Sequence, residues 1–165
     1  MEHVIRASGA IAEVDRLVIL GSQAILGAFP DAPAELLTSL EADIYPPDRI
    51  ERADLIDGSI GEDSLFHETF GYYAHGVGPE TALLPARWQS RLVSIQNENT
   101  NRIEGLCLSP ADLSVSKLLA GREKDAAFVR SMIRFDMLTA DAITGVAPEL
   151  SESLRRRLLD TIRLL

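Results

Sequence analysis

The sequence predicts an α/β domain with a helical C-terminal third. Three observations carry that expectation. An apolar run, Leu17-Val18-Ile19-Leu20, ends in Gly21-Ser22 and opens a helix. Further short apolar or alternating segments follow, separated by Gly, Pro and Asn, as strands are. From Ser109 onward the strand signals stop and helical spacing takes over. With 165 residues and 46% hydrophobic side chains, the chain suits one domain over residues 1–165. Its α/β core covers 1–108 and its helical part 109–165.

Val4 to Val14 reads as a short helix, and Leu17 to Leu20 as a buried strand. Gly21-Ser22 is the turn into a helix from Gln23 to Phe29, and Pro30, Asp31 and Pro33 make a loop. Leu40 to Tyr45 alternates as a strand and stops at Pro46-Pro47. Arg49 to Glu68 is mixed, with a short helix around Asp63 to Thr69. Tyr72 to Ala74, Ala82 to Leu84, Leu92 to Ile95 and Arg102 to Leu108 are expected as strands. Ser109 is an N-cap with Pro110 at the first helical position and Asp112 in the first turn. That helix ends at Gly121. The next carries Phe128, Val129, Met132 and Ile133 on one stripe, and a last helix runs from about Glu149 to Leu164.

Aromatic residues make up only 5%, so aliphatic side chains and alanine must fill the core. The single cysteine, Cys107, excludes an internal disulfide and a multi-cysteine metal site, and reads as a small buried hydrophobe. The N-terminal stretch lacks the pattern of a secretory leader, and no apolar run reaches the length of a membrane span. A cytoplasmic location with no membrane partner is the expectation. The formal net charge of −9 repels nucleic acid at long range, which argues against a general DNA- or RNA-binding module. A local basic cleft, or a metal that neutralises phosphates, remains compatible with it.

Two features carry chemistry. The backbone N–H groups at the helix start after Gly21 attract phosphate, Gly21 permits close approach, and Ser22 offers a hydroxyl. Glu41 and Asp43 share strand parity and so project from one face. Paired carboxylates hold hard divalent cations such as Mg²⁺ (or Mn²⁺), and such ions serve phosphoryl transfer. The plain alternatives are a capped turn and a solvated strand face.

Together, LVILGSQAIL and SLEADIYP resemble the opening of the nucleotidyltransferase superfamily of the DNA polymerase β type. The chain looks most like a group of uncharacterised bacterial nucleotidyltransferase-like proteins, and is distantly similar to the toxin half of abortive-infection systems. FHETFGYYAHGVG and DLSVSKLLAGREKDAAFV also resemble that bacterial group. The resemblance implies a mixed sheet flanked by helices, with Gly21 and Ser22 on the triphosphate and Glu41 and Asp43 as catalytic metal ligands. It implies that Lys117 and Arg122 contact the nucleotide. The activity implied is a Mg²⁺-dependent transfer of a nucleoside monophosphate from a nucleoside triphosphate to an acceptor hydroxyl on RNA, protein or a small molecule. The alternative is a non-catalytic protein on the same fold, possessing a protein partner or forming a homo-oligomer, as one half of a toxin–antitoxin or defence pair.

This sequence departs from the superfamily pattern. The first acid is Glu41 rather than aspartate, and the usual third carboxylate has four candidates, Glu80, Glu104, Asp54 and Asp57. Lys117 also reads as a snorkelling lysine, and Arg122 and Lys124 as solvated or paired with Asp125. His67 reads as a structural residue or a proton carrier, His75 as part of a glycine-rich turn, and His3 as inert. Tyr72, Tyr73 and Trp88 read as packing residues.

Overall fold

The computed structural model describes residues 1–165. Its centre is β1 (Arg16–Ile19), whose last three residues are buried, as the unbroken apolar run requires of a strand covered on both faces. β1 pairs in parallel with β5 (Glu104–Cys107) and antiparallel with β2 (Glu41–Tyr45). β3 (Tyr73–Gly76) adds in parallel beyond β2, and β4 (Val93–Ile95) adds antiparallel beyond β5. The mixed five-stranded sheet therefore has the order β3-β2-β1-β5-β4.

The turn after β1 enters a 3-10 segment, Ser22–Ala24, and only then a short α2 (Ile25–Ala28). The expected helix is thus shorter and tighter at its start, with Pro30 limiting its far end. α1 (Glu2–Ala12) buries Val4, Ile5, Ser8 and Ala12 along one stripe. α3 (Ala53–Ile60) was not expected. Its buried positions are only Ala53, Ile56 and Ile60, and Gly58 weakens the pattern. α4 (Leu65–Phe70) is capped by Ser64, whose hydroxyl accepts from the His67 N–H.

Ala82 to Leu84 is not a strand. It lies in a connection that follows a 3-10 turn, Pro79–Thr81, and its three residues are enclosed by Pro79 and Pro85, which lack the ladder donor. Arg87 and Arg91 tie this connection down. Arg91 forks onto Asp112 at 2.9 and 2.7 Å and onto Glu149 at 2.9 and 3.0 Å. Asp112 is fully buried, and Arg87 and Arg91 hold the Glu149 carboxyl down at about 2.

The C-terminal part is helical. α5 (Pro110–Ala120) starts at Ser109, whose hydroxyl accepts from the Asp112 N–H, and ends at Gly121 in the left-handed region. α6 (Glu123–Arg134) follows, then an unexpected α7 (Ala140–Val146) capped by Thr139. α8 (Glu152–Ile162) begins later than expected because Ala147–Glu149 forms a 3-10 turn containing Pro148. Cys107 is fully buried, and burial pushes its thiol up to about 12. No helix is long and apolar enough to cross a membrane.

Candidate functional site

β2 delivers both acids to one face. Ala42 and Ile44 are buried on the other side, so Glu41 and Asp43 project together. They open into a cleft of about 750 Å³ that Gly21, Ser22, Lys117 and Arg122 also line. All six sequence-derived candidates therefore surround one cavity. The floor is tight at Gly21, where a Cβ would lie 2.2 Å from Asp43 Oδ2. Gly21 also has φ 64° and ψ −169°, a region only glycine occupies comfortably. The turn is thus shaped around the Asp43 carboxylate.

A histidine completes the cluster. β2 and β3 run in register, with Glu41 opposite Tyr73 and Asp43 opposite His75. Period two then puts Tyr73 and His75 on the acids' face. The Tyr73 hydroxyl donates to Glu41 Oε2 at 3.0 Å, and His75 Nδ1 stands 3.2 Å from Asp43 Oδ1. One donor atom each from Glu41, Asp43 and His75 lies within 4.8 Å of the others.

These contacts set the protonation of the group. Burial, and then sharing with Glu41, pushes Asp43 up to about 6. Burial also opposes the charge on Glu41, but its closeness to Asp43, the bond from Tyr73 and the nearby His75 outweigh it and keep that carboxyl low. Tyr73 is pushed up to about 12 by burial and by its bond to Glu41. Burial works against a charged His75, yet the two carboxylates prevail and raise it. Two acids this close disfavour each other's ionisation, so the pair titrates as a unit.

The opposite wall is basic and comes from the α5–α6 corner. Lys117 does not snorkel to solvent. It is 8% exposed, bonds Asp125 Oδ1 at 3.1 Å and lies 4.6 Å from the Phe128 ring centre. Arg122 forks onto the same Asp125 at 2.5 and 3.3 Å, while most of its side chain stays exposed. Burial lowers the Lys117 ammonium, against the pull of Asp125. Lys124 lines the cleft as well.

None of the four candidate third acids lines the cleft. Glu104 sits opposite Arg16, at the end of β1 remote from Gly21, and accepts from the Ser94 hydroxyl. Asp57 accepts from the Gly76 N–H at 3.3 Å. Glu80 folds over Gly78, and Asp54 is exposed on α3. Local sequence hides His75, because the apolar strand signal Tyr72 to Ala74 stops before it and Gly76 has the character of a turn residue. The glycine has another purpose: a Cβ there would lie 2.0 Å from the Ala53 carbonyl oxygen, so it lets α3 lie against β3. The period-two spacing of Tyr73 and His75 was the available signal.

The other histidines are structural. His67 Nδ1 accepts from the Asp63 N–H, and its ring packs 4.6 Å from the Tyr73 ring. His3 bonds the Tyr72 hydroxyl at 2.8 Å and packs against Phe66 and Phe70.

A family model described as "Nucleotidyltransferase of unknown function (DUF6036)" matches residues 5–157. No curated protein and no solved structure matches the chain. The family match takes in the Gly21-Ser22 turn, the acids of β2, His75 and the basic corner, so nearly the whole chain belongs to this nucleotidyltransferase family.

Proposed function

We propose that this protein transfers a nucleoside monophosphate from a nucleoside triphosphate to an acceptor hydroxyl. One observation carries the reading: the acid pair of β2 and the Gly21-Ser22 turn face one cleft, with the α5–α6 cations across from them. The donor set also fits a divalent cation, since two carboxylates and an imidazole converge within 4.8 Å. A bound Mg²⁺ or Mn²⁺ would supply Lewis acidity at the phosphates and ease ionisation of the attacking hydroxyl.

The chain's own groups divide the remaining work. Ser22 and the backbone at Gly21 hold phosphate oxygens, and Arg122 and Lys117 offset their charge from the other wall. The acceptor oxygen forms a bond to the α-phosphorus. The bond from that phosphorus to its bridging oxygen breaks, and pyrophosphate leaves. The hydroxyl proton passes to a carboxylate oxygen of Asp43, which faces the cleft. Tyr73 fixes Glu41 by donating to Oε2.

The non-catalytic alternative is favoured by one observation, the lack of a third carboxylate beside Glu41 and Asp43. Thermal melting separates the two in part. Mn²⁺ with a non-hydrolysable triphosphate at about a hundred times its Kd should add about 2.7 kcal/mol. For a chain of this length that is a rise of roughly 5–10 °C. Asp43→Asn should fold normally and show none of it. An equal rise in both proteins would move binding out of this cleft and sink the proposal.

A further inference from the structure

β3 carries an imidazole to the side of the two β2 acids. His75 Nδ1 lies 3.2 Å from Asp43 Oδ1 and 3.6 Å from Glu41 Oε1, so a single nitrogen faces both carboxylates. The position is built rather than incidental. The parallel β2–β3 ladder fixes its register, and Gly76 lets the strand continue past His75 beneath α3. Asp57 accepts from the Gly76 N–H and secures the strand end. On the other side of Glu41, the Tyr73 hydroxyl occupies Oε2, which leaves Oε1 turned toward His75.

We propose that His75 is a direct metal ligand, and that the Glu41–Asp43–His75 set favours Mn²⁺-like ions over Mg²⁺. The inference rests on the proposed function in one respect, that a cation sits between Glu41 and Asp43. Its own content is the third ligand and the selectivity. Mg²⁺ takes oxygen ligands and keeps its waters, whereas Mn²⁺, though also a hard ion, gives up water more readily and accepts an imidazole nitrogen beside carboxylates more easily than Mg²⁺ does. Three side chains on one face of two adjacent strands leave the opposite coordination positions free for phosphate oxygens. An all-carboxylate set would add a further negative charge. The imidazole instead keeps the set at two charges, which suits one cation better than two.

The test uses Mn²⁺ alone, followed by electron paramagnetic resonance, on the full chain. Wild type should take up Mn²⁺ and show nitrogen hyperfine coupling from an imidazole ligand. His75→Asp offers oxygen at the same place. It should still take up Mn²⁺, lose the nitrogen coupling, and need roughly tenfold less Mg²⁺ to displace that Mn²⁺. Asp43→Asn should take up little. Circular dichroism melts of each variant establish that it is folded. Bound Mn²⁺ that depends on Asp43 but shows no nitrogen coupling in wild type would overturn the His75 assignment and leave the proposed function standing. An unchanged ease of displacement in His75→Asp would overturn the selectivity. Failure of wild type to take up Mn²⁺ at millimolar concentration would overturn this inference, and failure with a triphosphate present as well would overturn the function.

Discussion

Asp125→Ala is expected to lower stability by about 3–5 kcal/mol, among the largest losses any single change here should produce. The reason is the charge left behind. Asp125 is 1% exposed and neutralises Lys117, itself 8% exposed and bonded to it at 3.1 Å. With alanine there, the ammonium keeps only the face of Phe128. Lysine can escape by losing its proton, which at neutral pH limits the loss to about 5 kcal/mol, at about 1.4 kcal/mol for each pH unit below its ordinary value. Arg122 gains little by staying, since most of its side chain is already in solvent. Lys117→Met should behave differently. It leaves Asp125 with both Arg122 bonds and keeps most of the packing, so a loss of about 1–2 kcal/mol is expected. Urea unfolding of the two variants measures the difference. Equal losses would mean that the buried pair is not what holds α5 to α6.

Gly21→Ala is expected to reduce nucleotidyl transfer by about a hundredfold, the effect of displacing a reacting group by about an ångström. The added carbon would stand 2.2 Å from Asp43 Oδ2, so the carboxylate must swing away. The backbone at φ 64° and ψ −169° adds strain of about 1–3 kcal/mol. The variant should therefore stay folded, melting several degrees lower, while its turnover falls. The comparison is between turnover and melting temperature in one preparation. A variant that melts lower yet turns over at the wild-type rate would show that the Asp43 position does not matter.

The parts of this molecule that were legible in its sequence are those with local causes. The apolar run of β1, the alternation of Glu41–Tyr45 and the Ser109-Pro110 helix start each fix their element within a few residues. Strand parity alone puts Glu41 and Asp43 on one face. The parts that were not legible have tertiary causes. His75 was hidden by Gly76, a glycine required by α3 crossing close to β3 and not by a turn. The Lys117–Asp125 pair spans the break at Gly121, so no helical spacing reveals it. The strand expected at Ala82 to Leu84 failed for the converse reason. Its residues are apolar enough, but Pro79 and Pro85 bound them and the Arg87 and Arg91 ion pairs with Glu149 and Asp112 hold the segment as a connection. Asp112, which the sequence presents as a helix first-turn charge, is in fact the fully buried anchor of Arg91.

The measurement that tests the central claim most directly uses one nucleoside triphosphate labelled in two ways, at the α- or at the γ-phosphate. Wild type is incubated with Mn²⁺ and a cell lysate as the source of acceptors, and with it Asp43→Asn as control. Label from the α-position should move onto an acceptor while label from the γ-position leaves as pyrophosphate. Asp43→Asn should do neither. Transfer of γ-label would show a kinase-like reaction, and α-transfer that survives in Asp43→Asn, or no transfer by wild type with any of the four common triphosphates, would contradict the account.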